Sequence, residues 1–216
     1  MRLRYVKNAR ELIESNPKLI VDIQKPFRLH LEDLFSNQNP LHLEIGMGKG
    51  QFIYTLAKQN PDINYIGIEK FDSAIVKALE KVIDEPLSNL LLLRADAIDI
   101  LELFDEDAID RIYLNFSDPW PKERHQKRRL TSPNFLKKYQ ILLKDCGDLH
   151  FKTDNIDFFN YSVDTIREFP MNILFLNYDL HQEDVENIMT EFEEKFSNQG
   201  YKINKIIATF EEDTNG

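Results

Sequence analysis

Four carboxylates stand at matched places in this chain. Glu44, Glu69, Asp96 and Asp118 each end or follow an apolar run, and amphipathic stretches separate the runs. A single acid is usually no more than a surface group. Four acids after four successive strands would line one rim of a parallel sheet, where such sheets bind ligands. Glu44 opens the run Glu44-Ile45-Gly46-Met47-Gly48-Lys49-Gly50. Alternating glycines between a strand and a helix let a ligand approach the backbone closely. A dinucleotide-binding turn would read G-x-G-x-x-G, but its third glycine would fall on Gln51. The pattern is instead acid-x-G-x-G-x-G, and the acid favours a cationic ligand group over a pyrophosphate. Glu69 lies where nucleotide-binding sheets place the acid that takes ribose hydroxyls. Asp96 can accept from an adenine amino group.

Asp118 begins a different kind of segment, Asp118-Pro119-Trp120-Pro121. Two prolines around the only Trp exclude a regular helix or central strand. The cations Lys122, Arg124, Lys127, Arg128 and Arg129 follow, against one acid, Glu123. An acid, an aromatic plane and a cation cluster together suit a base ring and a phosphate backbone. Trp120 can stack on a base or plug the proline turn, and a charge run can simply be a solvated face. His125 reads as a phosphate or packing residue rather than a base.

These residues need a platform. A strand is expected over 41–45, a helix over 50–59 and a strand over 65–68. The next helix has Phe71, Ile75, Ala78, Leu79 and Val82 on a buried face. Strands follow over 89–93 and 112–116, with a short helix near 98–104 between them. Ser132-Pro133 opens a helix as N-cap and first-turn proline; it buries Phe135, Tyr139, Leu142 and Leu143. A strand over 149–153 precedes a helix with Ile156, Phe159, Val163 and Ile166 on one face. A strand over 173–176, a helix over 190–197 and a last strand over 203–210 complete the order. This alternation predicts an α/β fold: a doubly wound, mostly parallel sheet of about seven strands with helices on both faces. The chain is expected to form one domain over residues 1–216. Residues 1–38 would be an N-terminal arm with short helices near 9–15 and 28–35.

The glycine turn and acids resemble the class I, Rossmann-like fold of S-adenosylmethionine-dependent methyltransferases. The run Asp118 to Arg129, D-P-W-P-K-x-R-H-x-K-R-R, resembles the signature of the tRNA (guanine-N7-)-methyltransferase family. Lys152-Thr153-Asp154 and Thr190-Glu191-Phe192-Glu193 match further family segments, with Phe192 where the family often has Tyr. The likeness runs from about Leu41 to Phe210. It implies methyl transfer from S-adenosyl-L-methionine to N7 of the variable-loop guanine of tRNA, nucleotide 46, yielding S-adenosylhomocysteine. It implies cofactor contacts from Glu44, Gly46, Gly48, Glu69, Asp96 and Asp118, with Asp118 catalytic. Substrate contacts would come from Lys122, Asp154, Thr190, Glu191, Phe192 and Glu193. RNA contacts would come from Arg124, His125, Gln126, Lys127, Arg128 and Arg129, extended by Arg2 and Arg4.

Other readings explain less. A methyltransferase for a protein or small molecule leaves the basic loop unexplained. A non-catalytic RNA-binding module would not need an intact glycine turn. A nicotinamide oxidoreductase is disfavoured by the glycine spacing. The net charge of -10 should repel nucleic acid, so any RNA contact must be local. The five histidines show no metal-ligand spacing, and no metal is expected. The single Cys146, beside a helix end, reads as a small filler in a reducing compartment. With no membrane span or signal peptide in view, the expectation is a cytoplasmic monomer or homodimer without a membrane partner.

Overall fold

Continuous apolar runs bounded by turn residues become fully buried parallel strands here. The computed structural model describes residues 8–24, 27–182, 185 and 187–211. The chain divides into two units, Met1–Asp105 and Glu106–Gly216.

The first unit runs α1 (Ala9–Glu14), β1 (Ile20–Asp22), α2 (Leu31–Leu34), β2 (Leu41–Ile45), α3 (Gln51–Gln59), β3 (Asn64–Glu69), α4 (Asp72–Asp84), β4 (Leu90–Arg94) and α5 (Ile100–Leu103). Its strands lie in the order β1-β4-β3-β2, and the ladders β1/β4, β3/β4 and β2/β3 are parallel. Tyr65, Leu90 and Leu92 share a core with Ala9, Ile13, Ile53, Ala57, Ile75, Leu79 and Val82 from α1, α3 and α4. Ile66, Ile68, Leu91 and Leu93 alternate to the other face and are buried too. A parallel sheet buried on both faces needs such unbroken apolar strands.

The described part of the expected arm is woven into this unit. Ile20, Val21 and Asp22 pair with Leu92, Leu93 and Arg94. Arg94 then bridges Asp22 and Asp72 at 3.1 and 2.5 Å, joining β1, β4 and α4. The helix expected over 28–35 shrinks to Leu31–Leu34, because the Leu29 N–H donates to the Leu103 carbonyl and holds the preceding chain extended. Phe71 does not join the buried face of α4. It is the N-cap residue of that helix, in extended backbone, and 45% exposed.

The second unit runs β5 (Ile109–Asn115), α6 (Pro133–Leu142), β6 (Leu143–Thr153), α7 (Ile156–Glu168), β7 (Met171–Asn177), α8 (Glu191–Ser197) and β8 (Asn204–Phe210), in the order β5-β6-β8-β7. The pair β5/β6 is parallel, and β8 is antiparallel to both β6 and β7. The expected parallel order therefore gives way only at β8, and the two units hold eight strands against about seven expected. Strand β6 starts directly at the end of α6 and carries a register shift opposite Ile109/Arg111. Cys146 lies in that irregular part, exposed and with φ 62°, so it fills no core. Ile156 likewise points outward from the first turn of α7. Ser132 precedes Pro133 as expected, but its hydroxyl donates to the Lys127 carbonyl and makes no capping bond.

Alternation puts Arg111 and Tyr113 of β5 beside Asp148 and His150 of β6. Arg111 grips Asp148 with two guanidinium nitrogens, at 2.5 and 2.9 Å. His150 Nε2 is 3.2 Å from the same carboxylate, and its ring meets Tyr113 edge-on. Burial works to raise the Asp148 carboxyl, but His150 and Arg111 outweigh it and pull it down to about 2. Burial lowers the imidazole of His150 more than Asp148 raises it.

Candidate active site

The carboxyl ends of β2, β3 and β4 gather the first group of predicted residues. Glu44 is buried in β2, one residue before its end, and opposite Gly67 in the register. Beyond it the chain turns through Gly46, Gly48 and Gly50, all with left-handed φ of 59–76°. The three glycines differ in purpose. A Cβ on Gly50 would stand 2.7 Å from the Ala78 Cβ, so this glycine lets the turn seat against α4. At Gly46 and Gly48 a Cβ would meet nothing within 4 Å, which leaves an open backbone cradle.

Glu69, the last residue of β3, holds that cradle. Its Oε2 accepts from the Gly48 N–H at 3.1 Å, and its Oε1 accepts from the Lys70 and Phe71 N–H groups at 2.8 and 2.9 Å. Burial raises its carboxyl above the usual range, more than these three bonds and the Lys70 charge lower it. Asp96 follows β4 and caps the single 3-10 turn Ala97–Asp99 by accepting from the Ile98 N–H at 3.1 Å. Its other oxygen is 3.5 Å from Lys70 Nζ. Lys70, Phe71, Ala95 and Asp96 line a cleft of about 340 Å³. Two exposed apolar side chains, Phe71 (45%) and Ile98 (61%), neighbour these acids in sequence. Neither belongs to a motif; the available signal is an apolar residue in a polar turn just after a strand.

In the second unit, β5 ends at Asn115 and the chain leaves the sheet through Phe116, φ 51°. Asp118 is exposed, and Trp120 is held at φ 41°. Left-handed backbone at bulky non-glycine residues is rare and costs on the order of 1–3 kcal/mol each, so the surroundings must enforce it. The segment Glu123–Arg128 coils as a 3-10 helix. Lys122, Arg124, Lys127 and Arg128 are exposed, while His125 and Gln126 are half-buried. Trp120 is packed by this segment: the Arg128 guanidinium lies 5.0 Å from its ring centre and His125 meets it edge-on at 5.6 Å. Arg129 alone of the cation run turns inward, at 8% exposure. Arg2 and Arg4 lie outside the described residues.

The remaining predicted residues divide by role. Asp154 is half-buried, just past the end of β6. Thr190 caps α8, accepting from the Glu193 N–H at 2.9 Å. Glu191 is half-buried and Phe192 is 44% exposed. Glu193 is fully buried, with Oε2 only 2.6 Å from Lys152 Nζ, and Lys152 also donates to Asn187 and to the Ile188 carbonyl. The ring of Phe192 stacks between Phe116 and Phe196, with centroid distances of 6.4 and 5.8 Å. The matched Thr190–Glu193 segment thus has one buried anchor, Glu193, a half-buried cap, Thr190, and one outward aromatic residue, Phe192. Phe116 was legible only as a strand residue; its partnership with Phe192 joins positions 76 residues apart and has no local signature.

Known proteins resemble this chain over most of its length. A family model described as putative methyltransferase matches residues 38–206. A tRNA (guanine-N(7)-)-methyltransferase of Bacillus cytotoxicus is 49% identical over 211 residues, covering 97% of each chain. Among solved structures, the 16S rRNA methyltransferase KamB superimposes with a TM-score of 0.64 at 16% identity, over 83% of this chain and 92% of that one. A SAM-dependent methyltransferase from Aquifex aeolicus does so with a TM-score of 0.56 at 12% identity, over 94% and 97%. The chain belongs to the tRNA (guanine-N7-)-methyltransferase family and has the Rossmann-like methyltransferase fold.

Proposed function

We propose that this chain transfers a methyl group from S-adenosyl-L-methionine to N7 of the variable-loop guanine of tRNA, nucleotide 46, releasing S-adenosylhomocysteine. The observation that carries the reading is the exposed Asp118 at the head of a turn followed by four outward cations, Lys122, Arg124, Lys127 and Arg128, in a chain of this family.

The residues at the strand ends fit the donor. The open cradle at Gly46 and Gly48 admits a ligand against the backbone. The buried carboxylate of Glu44 suits a cationic portion. Glu69 spends three acceptor positions on backbone N–H groups, which leaves Oε2 one more for a ribose hydroxyl. Asp96 accepts from an adenine amino group, with Phe71 and Ile98 offering apolar contact to the ring. When bound, S-adenosyl-L-methionine supplies an electrophilic methyl group on a sulfonium.

Guanine N7 carries an in-plane lone pair, so no proton has to leave before attack. One N–C bond forms as one S–C bond breaks, and positive charge passes to the purine. The protein's work is to position and to exclude water. A carboxylate near the purine favours that product charge and can accept from guanine N1–H or the exocyclic amine, the edge that distinguishes G from A. Asp118 is the catalytic candidate, and Asp154 is the other carboxylate able to read that edge. The exposed part of Phe192 offers apolar contact to a base drawn out of its helix. Lys122, Arg124, Lys127 and Arg128 meet phosphates without reading sequence. No described helix is long and apolar enough to cross a membrane; a cytoplasmic site of action is part of the proposal.

Incubation with unmodified bulk tRNA and methyl-labelled donor, followed by nucleoside analysis, tests the reading. Label is expected in 7-methylguanosine and is lost in Asp118→Ala. Label confined to any other nucleoside would overturn it.

A further inference from the structure

Arg129 ends the cation run, yet its geometry separates it from its neighbours. Its Nε donates to the Pro119 carbonyl at 2.9 Å and its Nη2 to the Trp120 carbonyl at 3.2 Å. The plane of the guanidinium lies over Tyr161 at 4.1 Å and near Phe158 at 5.6 Å, both on α7. Its own N–H donates to Gln126 and its carbonyl accepts from Ser132, each at 2.9 Å. Two residues on, the Thr131 hydroxyl is hydrogen-bonded to the Ser162 hydroxyl of α7 at 2.7 Å. The side chain therefore has donors on the proline turn, a face on α7 and its backbone in the 3-10 helix.

We propose that Arg129 is a positioning residue that aims Asp118, and not a phosphate contact. The turn it grips contains two prolines, which contribute no N–H groups, and a Trp at φ 41°. Such backbone persists only where its surroundings over-determine it. The planar fork of Arg129 supplies donors for consecutive carbonyls of that turn, and the first of these belongs to the residue after Asp118. An ammonium at the same place has neither the fork nor the flat face that lies on Tyr161. A guanidinium committed to two carbonyls and two aromatic rings reaches RNA only if the turn is dismantled. Arg124, Lys127 and Arg128 are exposed and meet no such obstacle.

The proposal rests on the methyl-transfer reading for its kinetic readout, but tRNA binding tests it independently of chemistry. In the full chain, the dependence of tRNA affinity on salt is measured for wild type, Arg128→Ala and Arg129→Gln, together with kcat and donor affinity. Loss of one phosphate contact lowers the salt slope by about one. That is expected for Arg128→Ala. Arg129→Gln, which removes the charge as well as the fork, is expected to keep the wild-type slope and donor affinity while kcat falls by about 10- to 100-fold, as misaligned reacting groups require. A slope lowered by about one in Arg129→Gln with kcat retained would overturn the proposal, as would wild-type kcat with wild-type slope. Should Arg129→Gln fail to fold, Tyr161→Leu removes the plane beneath an intact guanidinium. A lowered kcat with unchanged slope supports the proposal there, and unchanged kcat overturns it. If wild type itself methylates no tRNA guanine, the functional reading fails, while the slopes still decide whether Arg129 meets RNA.

Discussion

Replacing Glu193 should damage stability before it damages substrate recognition. Lys152 is 3% exposed and Glu193 0%, and their charged atoms are 2.6 Å apart. The ammonium also donates to Asn187 Oδ1 at 3.1 Å and to the Ile188 carbonyl at 3.0 Å. The carboxylate accepts from Asn187 Nδ2 at 2.5 Å and has His181 Nε2 at 3.2 Å. Glu193→Ala strips a buried ammonium of its carboxylate and leaves it only neutral acceptors from this set. Breaking such a pair from one side costs about 3–5 kcal/mol, a large share of the roughly 5–15 kcal/mol that a folded domain has in hand. For a chain of this size each kcal/mol moves Tm by about 2–4 °C, so the drop should be on the order of 6–20 °C. Glu193→Gln keeps the shape and some hydrogen bonds and should fall between. In the double variant Lys152→Met/Glu193→Leu the loss should be smaller than the two single losses together, because no buried charge remains unbalanced. The measurements are thermal melts and urea unfolding of these proteins, of wild type and of the single variants Lys152→Met and Glu193→Leu, with methylation kinetics run well below the lowest Tm. A Glu193→Gln protein with wild-type Tm and a raised KM for tRNA would refute the reasoning, since it would place the carboxylate on the substrate.

Three further outcomes follow from other parts of the molecule. Glu69→Gln should weaken donor binding by roughly 10- to 150-fold in calorimetry, the worth of one or two charge-assisted bonds, because the carboxylate both braces the Gly48 turn and keeps an acceptor for the ligand; unchanged affinity would exclude that dual role. Unfolding free energy should decline as pH falls below about 6.5, where an unfolded His150 takes a proton that the folded imidazole, lowered by burial, resists. A further decline belongs between about pH 4 and 2, as Asp148, held down to about 2, is protonated; urea midpoints across pH should lose the upper step in His150→Gln and the lower one in Asp148→Asn. Gly50→Ala should lower Tm more than Gly46→Ala, because both strain a left-handed backbone but only Gly50 drives a Cβ to 2.7 Å from Ala78; equal melting temperatures would argue against the packing role.

The sequence made the strands legible because burial on both faces leaves unbroken apolar runs, as in Leu90–Arg94. It made the cradle legible because alternating glycines after an acid have few other uses. What it hid depends on tertiary choice. Ile20–Asp22 is three residues long and becomes a strand only because β4 offers an edge. Phe71 has helical spacing with Ile75, but the chain bends just before α4 and turns the ring outward. Lys152 and Glu193 are ordinary charges in one dimension; the fold buries both and pairs them across 41 residues. Arg129 reads as the fifth cation of a run, and nothing in the run itself says that one member faces in.

That inward turn bears on how an acidic protein can select RNA at all. With a net charge of -10 the long-range field opposes polyanions in general. Under the proposed function, attraction would then depend on exposed Lys122, Arg124, Lys127 and Arg128 acting together within about a Debye length of the phosphates. A flexible loop would spread those charges and pay an ordering cost on binding. Here the loop is coiled into a 3-10 helix, packed by Trp120 and tied through Arg129 to α7. One cation is withdrawn from solvent, and the four that remain are held in a fixed array. On that reading, repulsion elsewhere would penalise RNA that cannot place phosphates on that array, and the acidic surface would contribute discrimination rather than merely weakening the complex. The same packing that fixes the array fixes the turn that starts at Asp118, which, under the proposed function, would couple where the RNA is held to where the carboxylate points.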